Sequence, residues 1–257
     1  MDGHKFKKRR LLVFPLSRLF PNMVTIAGLC CGLSAVRFAL DGKFETAVAL
    51  IVAAMVIDGM DGRIARFLNS TSVFGAHLDS LSDFVCFGVS PLLVLYRWKL
   101  EILTGIGWAV VLFFAVCCAL RLARFNTNLA EEKTEPWQKK FFVGVPAPAG
   151  AMLALMPLVA SFAIEAPLFG SPQLCAVWVV IVAVLMASRI PTFAAKKLII
   201  RHEWVLPIML AGGFAIVLII IAPWVMLNVV GIGYCFLIPV SVLHYRKLAK
   251  QNRSVSE

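Results

Sequence analysis

Four of the chain's six aspartates, Asp58, Asp61, Asp79 and Asp83, fall within the stretch "VIDGMDGRIARFLNSTSVFGAHLDSLSDF", residues 56–84. On a helix, residues three or four apart share a face. Asp58 and Asp61 therefore sit together on one helix, and Asp79 and Asp83 together on the next. The segment "LNSTSVFG" between them carries turn-forming residues, so the two helices become antiparallel neighbours and the two carboxylate pairs meet. Four carboxylates this close repel one another unless a cation holds them, and Arg63 and Arg66 are too few to neutralise four. Hard oxygen donors at this density suit Mg²⁺ or Mn²⁺, with phosphate oxygens completing the coordination. Gly59, Gly62 and Ala65 leave one side of the first helix without bulk. That permits close helix packing, and equally a nucleotide or phosphate lying against the backbone. Arg66, one turn beyond Gly62, is placed to pair with a phosphate oxygen.

The elements that must position these acids are apolar helices. The chain has 257 residues, 60% hydrophobic and 15% charged, with mean hydropathy +0.87. A soluble domain carries about a quarter of its residues charged, so an integral membrane protein is expected. A spanning helix needs about 20 apolar residues. Eight stretches qualify, at 22–40, 45–67, 75–96, 102–123, 147–166, 173–190, 204–222 and 224–243, the last two divided at Pro223. The expected fold is thus an all-α, polytopic bundle of about eight transmembrane helices. With an even number of spans, 21 of the 25 Lys and Arg residues lie on the side of the two termini. Lys43, Arg97 and Lys99 lie on the other, and Arg37 lies inside the first span. By the positive-inside rule both termini are cytoplasmic, and the acidic cluster falls near the cytoplasmic boundary of the membrane.

The net charge of +11 is then a property of topology. No aromatic residues interleave with the basic ones, and no nucleic-acid partner is expected. The arm at 1–20 is read as a cytoplasmic basic arm or short interfacial helix near anionic headgroups. Its apolar part is broken by Pro15 and Arg18 and lacks a signal-peptide cleavage site. The seven cysteines are odd in number and form no C-x-x-C pair, so they are read as small apolar filler rather than disulfides or zinc ligands. Residues 21–200 are the expected catalytic membrane domain, 201–246 two additional helices, and 247–257 a cytoplasmic tail.

The spacing Asp58-x2-Asp61-Gly62-x2-Ala65-Arg66-x8-Gly75-x3-Asp79-x3-Asp83 resembles the signature of the CDP-alcohol phosphotransferases at every fixed position. The resemblance covers roughly residues 18–190, leaving the last two spans outside that family's six-helix core. It implies that the aspartates bind one or two divalent ions, which hold the pyrophosphate of a CDP-linked lipid or alcohol. It implies further that Asp83 is the general base on the incoming hydroxyl, and that CMP leaves. Gly62, Ala65, Arg66, Ser72 and Gly75 then fall at nucleotide and phosphate contacts. "PNMVT", 21–25, resembles the opening of the family's first span and places Asn22 and Thr25 near the CDP. A homodimer in the cell's inner or plasma membrane is also implied. His77 is a rival base, but two residues from Asp79 it points to another helix face.

The acceptor alcohol has to be read elsewhere. "CALRLARFNT", 118–127, carries Arg121 and Arg124 three apart, followed by Asn126. The two arginines are either a positive-inside anchor or a binding pair for an amino-acid carboxylate or a lipid phosphate. Together, R-L-A-R-F-N and the later F-x-G-x-P-x-P-x-x-A (142–151) resemble the phosphatidylserine synthase branch of the family. That branch transfers the phosphatidyl group of CDP-diacylglycerol to L-serine. Choline, glycerol 3-phosphate and inositol phosphate are the alternative acceptors. A cation- or proton-coupled transporter is the alternative from another class, although broken midplane helices and internal symmetry are not visible in the sequence.

Overall fold

The computed structural model of the chain describes residues 19–68, 72–130, 141–163, 170–193 and 205–256. The expected N-terminal interfacial helix lies outside these residues, as do residues 131–140. The chain folds as α1 (Leu19–Leu40), α2 (Phe44–Phe67), α3 (Val73–Asp83), α4 (Ser90–Trp98), α5 (Gly105–Ala130), α6 (Ala147–Ala163), α7 (Pro172–Ala187), α8 (Val205–Ile221) and α9 (Pro223–Ser256). A helix thus stands at each of the eight stretches expected from hydropathy, with α3 and α4 together forming the third. Among the described residues, four segments are long and apolar enough to cross a membrane: Phe20–Leu40, Val73–Trp98, Gly105–Thr127 and Pro223–Tyr245. The apolar helices Ala147–Ala163, Pro172–Ala187 and Pro207–Ile221 are shorter. At 1.5 Å per residue, 17 residues reach about 26 Å, just under a ~30 Å hydrocarbon core. Large apolar side chains such as Phe214, Ile220, Ile221 and Phe236 face outward. That much exposed apolar surface fits lipid and not water.

Local chemistry sets the turns. α1 closes at Gly42, whose φ of +75° is open to glycine at little cost. The N–H of Lys43 donates to Phe38 O at 2.9 Å and that of Gly42 to Ala39 O at 3.0 Å, the paired bonds of a Schellman cap. Ser72 caps α3, its side-chain oxygen accepting from the N–H of Gly75 at 3.0 Å. Pro91, Pro172 and Pro223 stand in the first turns of their helices, where a missing N–H costs little.

Two features add to the all-helical expectation. Between α3 and α4 the chain makes a π turn, Phe84–Val89, immediately after Asp83. A π turn takes an extra residue into the helix and rotates the faces on either side of it relative to each other; such turns concentrate at functional sites. Close packing pins this one. A Cβ on Gly32 of α1 would fall 2.6 Å from Cys86 Sγ and 3.1 Å from Cys86 Cα, so only glycine lets α1 approach. The second feature is a short antiparallel ribbon, β1 (Phe141–Val143) with β2 (Pro191–Phe193), pairing Phe142 with Thr192. It ties the start of α6 to the end of α7. Gly144, at φ +81°, donates its N–H to Ile190 O at 2.8 Å and accepts from Thr192 Oγ1 at 2.9 Å.

The core lies among α1 to α7, with Ile51, Phe87, Leu92, Phe114, Leu155 and Met186 fully buried. Trp178 of α7 donates to the Leu153 carbonyl of α6 at 2.6 Å. The cysteines are all free, as expected, and Cys86, Cys117, Cys118 and Cys175 are buried as apolar filler.

Candidate active site

Contacts between Thr25 and Asp61, Asn126 and Ser80, and Arg124 and Ala187, with the β1–β2 ribbon, gather the start of α1, the end of α2, α3, the end of α5, the start of α6 and the end of α7 at one end of the bundle. The candidate site residues named from the sequence lie on these segments.

The acidic cluster forms as the spacing requires. One carboxylate oxygen from each of Asp58, Asp61 and Asp79 lies within 4.8 Å of the other two. Asp61 is 5% exposed, and the Thr25 hydroxyl of α1 donates to its Oδ2 at 2.7 Å. Thr25 is therefore committed to orienting a carboxylate. Asp83 stands beside Asp58, with their carboxyl groups in contact, and its Oδ1 is buried without a hydrogen-bond partner. It borders the trio rather than joining it. His77 is exposed on α3 and is not part of the trio.

The alternative of a salt-bridge net fails on this geometry. Arg63 and Arg66 are exposed, and neither forms an ion pair with any of the four aspartates. Arg66 instead folds back, its Nε donating to Gly62 O at 3.0 Å. Three converging carboxylates without a cationic partner, beside an orphaned carboxylate oxygen, fit a divalent metal. The donor set is all oxygen, the chemistry Mg²⁺ and Mn²⁺ take.

The small residues divide between the two roles open to them. A Cβ on Gly59 or Gly62 would meet no atom within 4 Å, so neither glycine is needed for helix packing. The space above them is free for a ligand. Ala65 follows on the same helix. Gly75 differs: a Cβ there would come within 3.0 Å of Asn22 Oδ1 and 3.1 Å of Ser72 Oγ, so Asn22 and Ser72 both close over the start of α3. A small cleft behind the acids is lined by Thr25, Gly28, Asp58, Asp61, Ser82 and Cys86, among others.

Arg121, Arg124 and Asn126 part company. Arg124 Nη1 donates to Ala187 O at 2.9 Å, holding the last carbonyl of α7. Asn126 Nδ2 donates to Ser80 Oγ at 3.1 Å, tying α5 to α3 between Asp79 and Asp83. Arg121 alone faces the acidic site. It lies within electrostatic reach of Asp83, and its Nε is buried without a partner. Sequence reasoning missed Ser80, Thr192 of β2 and Tyr234 of α9. Only Ser80 left a signal, being one residue from Asp79 on a helix already marked.

A family model described as CDP-alcohol phosphatidyltransferase matches residues 18–184, and a second, CDP-alcohol phosphatidyltransferase 2, matches residues 203–239. The second match extends the likeness into α8 and α9, beyond the expected six-helix core. Three similar proteins are each named CDP-diacylglycerol–serine O-phosphatidyltransferase. That of Mycobacterium leprae is 38% identical over 238 residues, covering 90% of this chain and 77% of the relative. That of Helicobacter pylori strain 26695 is 35% identical over 181 residues, covering 70% and 74%. That of Saccharomyces cerevisiae is 36% identical over 159 residues, covering 60% and 56%.

Proposed function

The chain belongs to the CDP-alcohol phosphatidyltransferase family, and from that membership we propose that it transfers the phosphatidyl group of CDP-diacylglycerol to the hydroxyl of L-serine, giving phosphatidylserine and CMP. The observation that carries this reading is the unpaired trio Asp58, Asp61 and Asp79 with Asp83 at its edge and Arg121 facing it. The shared name of the similar proteins supports serine as the acceptor.

Asp58, Asp61 and Asp79 would hold the divalent ion, Mg²⁺ or Mn²⁺, with Asp83 close enough to share in it. Bound there, such an ion supplies positive charge to the pyrophosphate as negative charge shifts toward the leaving CMP. Thr25 keeps Asp61 turned inward. The open backbone at Gly59 and Gly62, with Ala65 and Arg66 beyond, receives the cytidine diphosphate. Asn22, Ser72 and Gly75 form its rim.

Serine binds with its carboxylate on Arg121, the matching charge with a free donor. An alcohol is a weak nucleophile at neutral pH, so a carboxylate must take its proton. Asp83 does so through its free Oδ1. The serine oxygen bonds to the phosphorus bearing the diacylglycerol, the bond from that phosphorus to the CMP oxygen breaks, and CMP leaves with the electron pair. Arg124 and Asn126 serve this pocket by fixing α5 against α7 and α3.

The membrane arrangement belongs to the same proposal: eight spans, both termini cytoplasmic and the acids at the cytoplasmic face of the inner or plasma membrane. The charge distribution and the gathering of site residues at one end support it. The family resemblance supports a homodimer.

The test offers purified protein CDP-diacylglycerol and divalent metal with radiolabelled serine, choline, inositol phosphate or glycerol 3-phosphate in parallel. Label entering lipid from serine alone is the expected result. Label from another acceptor moves the reading to that acceptor, and no CMP release with any of them defeats the enzyme reading in favour of transport.

A further inference from the structure

Three polar atoms around the acceptor side of the site are buried and lack a hydrogen-bond partner: Asp83 Oδ1, Arg121 Nε and the Tyr234 hydroxyl. Arg121 lies within electrostatic reach of both Asp83 and Tyr234, and so neighbours each of the other two. An unsatisfied buried polar group costs about 1–3 kcal/mol, and native structures carry few of them. A polar ligand that met Asp83 Oδ1 and Arg121 Nε would satisfy both. Two of the three have a role in the serine-transfer reading. Tyr234 does not, and it stands on α9, far along the chain from the acidic signature.

The ribbon explains how Tyr234 arrives there. α9 packs against β2 and α6, which brings Tyr234 beside Thr192. The Thr192 hydroxyl gives its proton to Gly144 O at 2.9 Å. Toward Tyr234 it therefore presents only lone pairs, and the phenolic proton has that direction to go. The phenol oxygen is left as an acceptor, so the ligand group that meets it must be a donor. L-Serine carries one such group not yet placed. With its hydroxyl at Asp83 and its carboxylate on Arg121, the α-ammonium remains.

We infer that Tyr234 is a specificity-determining residue of the acceptor pocket, accepting a hydrogen bond from the α-ammonium of serine. This rests on the serine-transfer reading. It makes α9 and the β1–β2 ribbon part of the site: the acceptor is held at three points, from α3, α5 and α9. Choline, with no N–H, and glycerol 3-phosphate, with no ammonium, lack the third contact.

The test uses the full-length protein in detergent with CDP-diacylglycerol and Mn²⁺ or Mg²⁺. Two acceptors are compared, L-serine and its deamino analogue hydracrylate, which keeps the hydroxyl and carboxylate but has hydrogen in place of the ammonium. Tyr234→Phe removes only the hydroxyl. In that variant kcat/KM for serine falls about tenfold or more, the share of one hydrogen bond to a charged group. With the deamino analogue as acceptor, kcat/KM stays unchanged, as does its inhibition constant against serine where turnover is slow. The KM for CDP-diacylglycerol also stays unchanged. Unchanged serine kinetics, equal losses on both acceptors, or a raised KM for CDP-diacylglycerol each overturn the inference and leave Tyr234 as packing. If the unaltered protein does not use serine at all, the serine reading itself has failed, and that result needs no variant to show it.

Discussion

At the scale of single residues, the site separates groups that the sequence places side by side. Arg121 and Arg124 are one helical turn apart, yet Arg124 is bonded to the end of α7 while Arg121 keeps a free, buried Nε. Arg121→Ala should therefore raise KM for serine about tenfold or more, the loss of a charge-assisted contact, with KM for CDP-diacylglycerol little changed. Arg124→Ala should instead lower stability by about 1 kcal/mol, read as a reduced Tm in detergent, with a smaller effect on serine. Unchanged serine kinetics in both variants would leave the two arginines as membrane anchors. The acids were legible because a spacing of three or four residues fixes a shared helix face whatever the surroundings. Their relation to Thr25, and the different tasks of the two arginines, were not legible. Those depend on which neighbouring helix each side chain meets, and no local pattern encodes that.

At the scale of elements, hydropathy located each helix, because burying backbone polar groups in lipid demands helices of a set length. It could not show the π turn after Asp83, since six apolar residues read alike in an α or a π turn. The ribbon was hidden too, being three residues a side with Pro191 in one strand. Glycines show how elements carry the site. Gly32→Leu drives a side chain into Cys86 and the π turn, and should cost about 1–3 kcal/mol, seen as a lower Tm and loss of activity together. Gly62→Ala adds a methyl to open space. It should leave Tm equal or higher, since alanine favours a helix by about 1 kcal/mol, while raising KM for CDP-diacylglycerol. A lower Tm for Gly62→Ala without a change in KM would show that Gly62 serves packing after all.

At the scale of the whole molecule, contacts between helices bring residues from α1, α2, α3 and α5 to one end of the bundle, and the proposed topology makes that end cytoplasmic. Single cysteines at position 5 and at position 253 in a cysteine-free background should both react with a membrane-impermeant maleimide in inverted vesicles and not in right-side-out vesicles. Opposite labelling of the two positions would show an odd number of spans. The proposed reaction turns on the carboxylate cluster holding a divalent ion while Asp83 takes the proton of serine. The most direct measurement follows CMP and phosphatidylserine together from CDP-diacylglycerol and serine, for the unaltered protein with metal, after EDTA, and for Asp83→Asn. Equal amounts of the two products are expected with metal, and neither after EDTA until Mg²⁺ or Mn²⁺ is restored. Asp83→Asn should lose turnover with CDP-diacylglycerol binding largely kept. Turnover that survives EDTA, or an Asp83→Asn variant that loses CDP-lipid binding while its residual turnover stays normal, would contradict these roles.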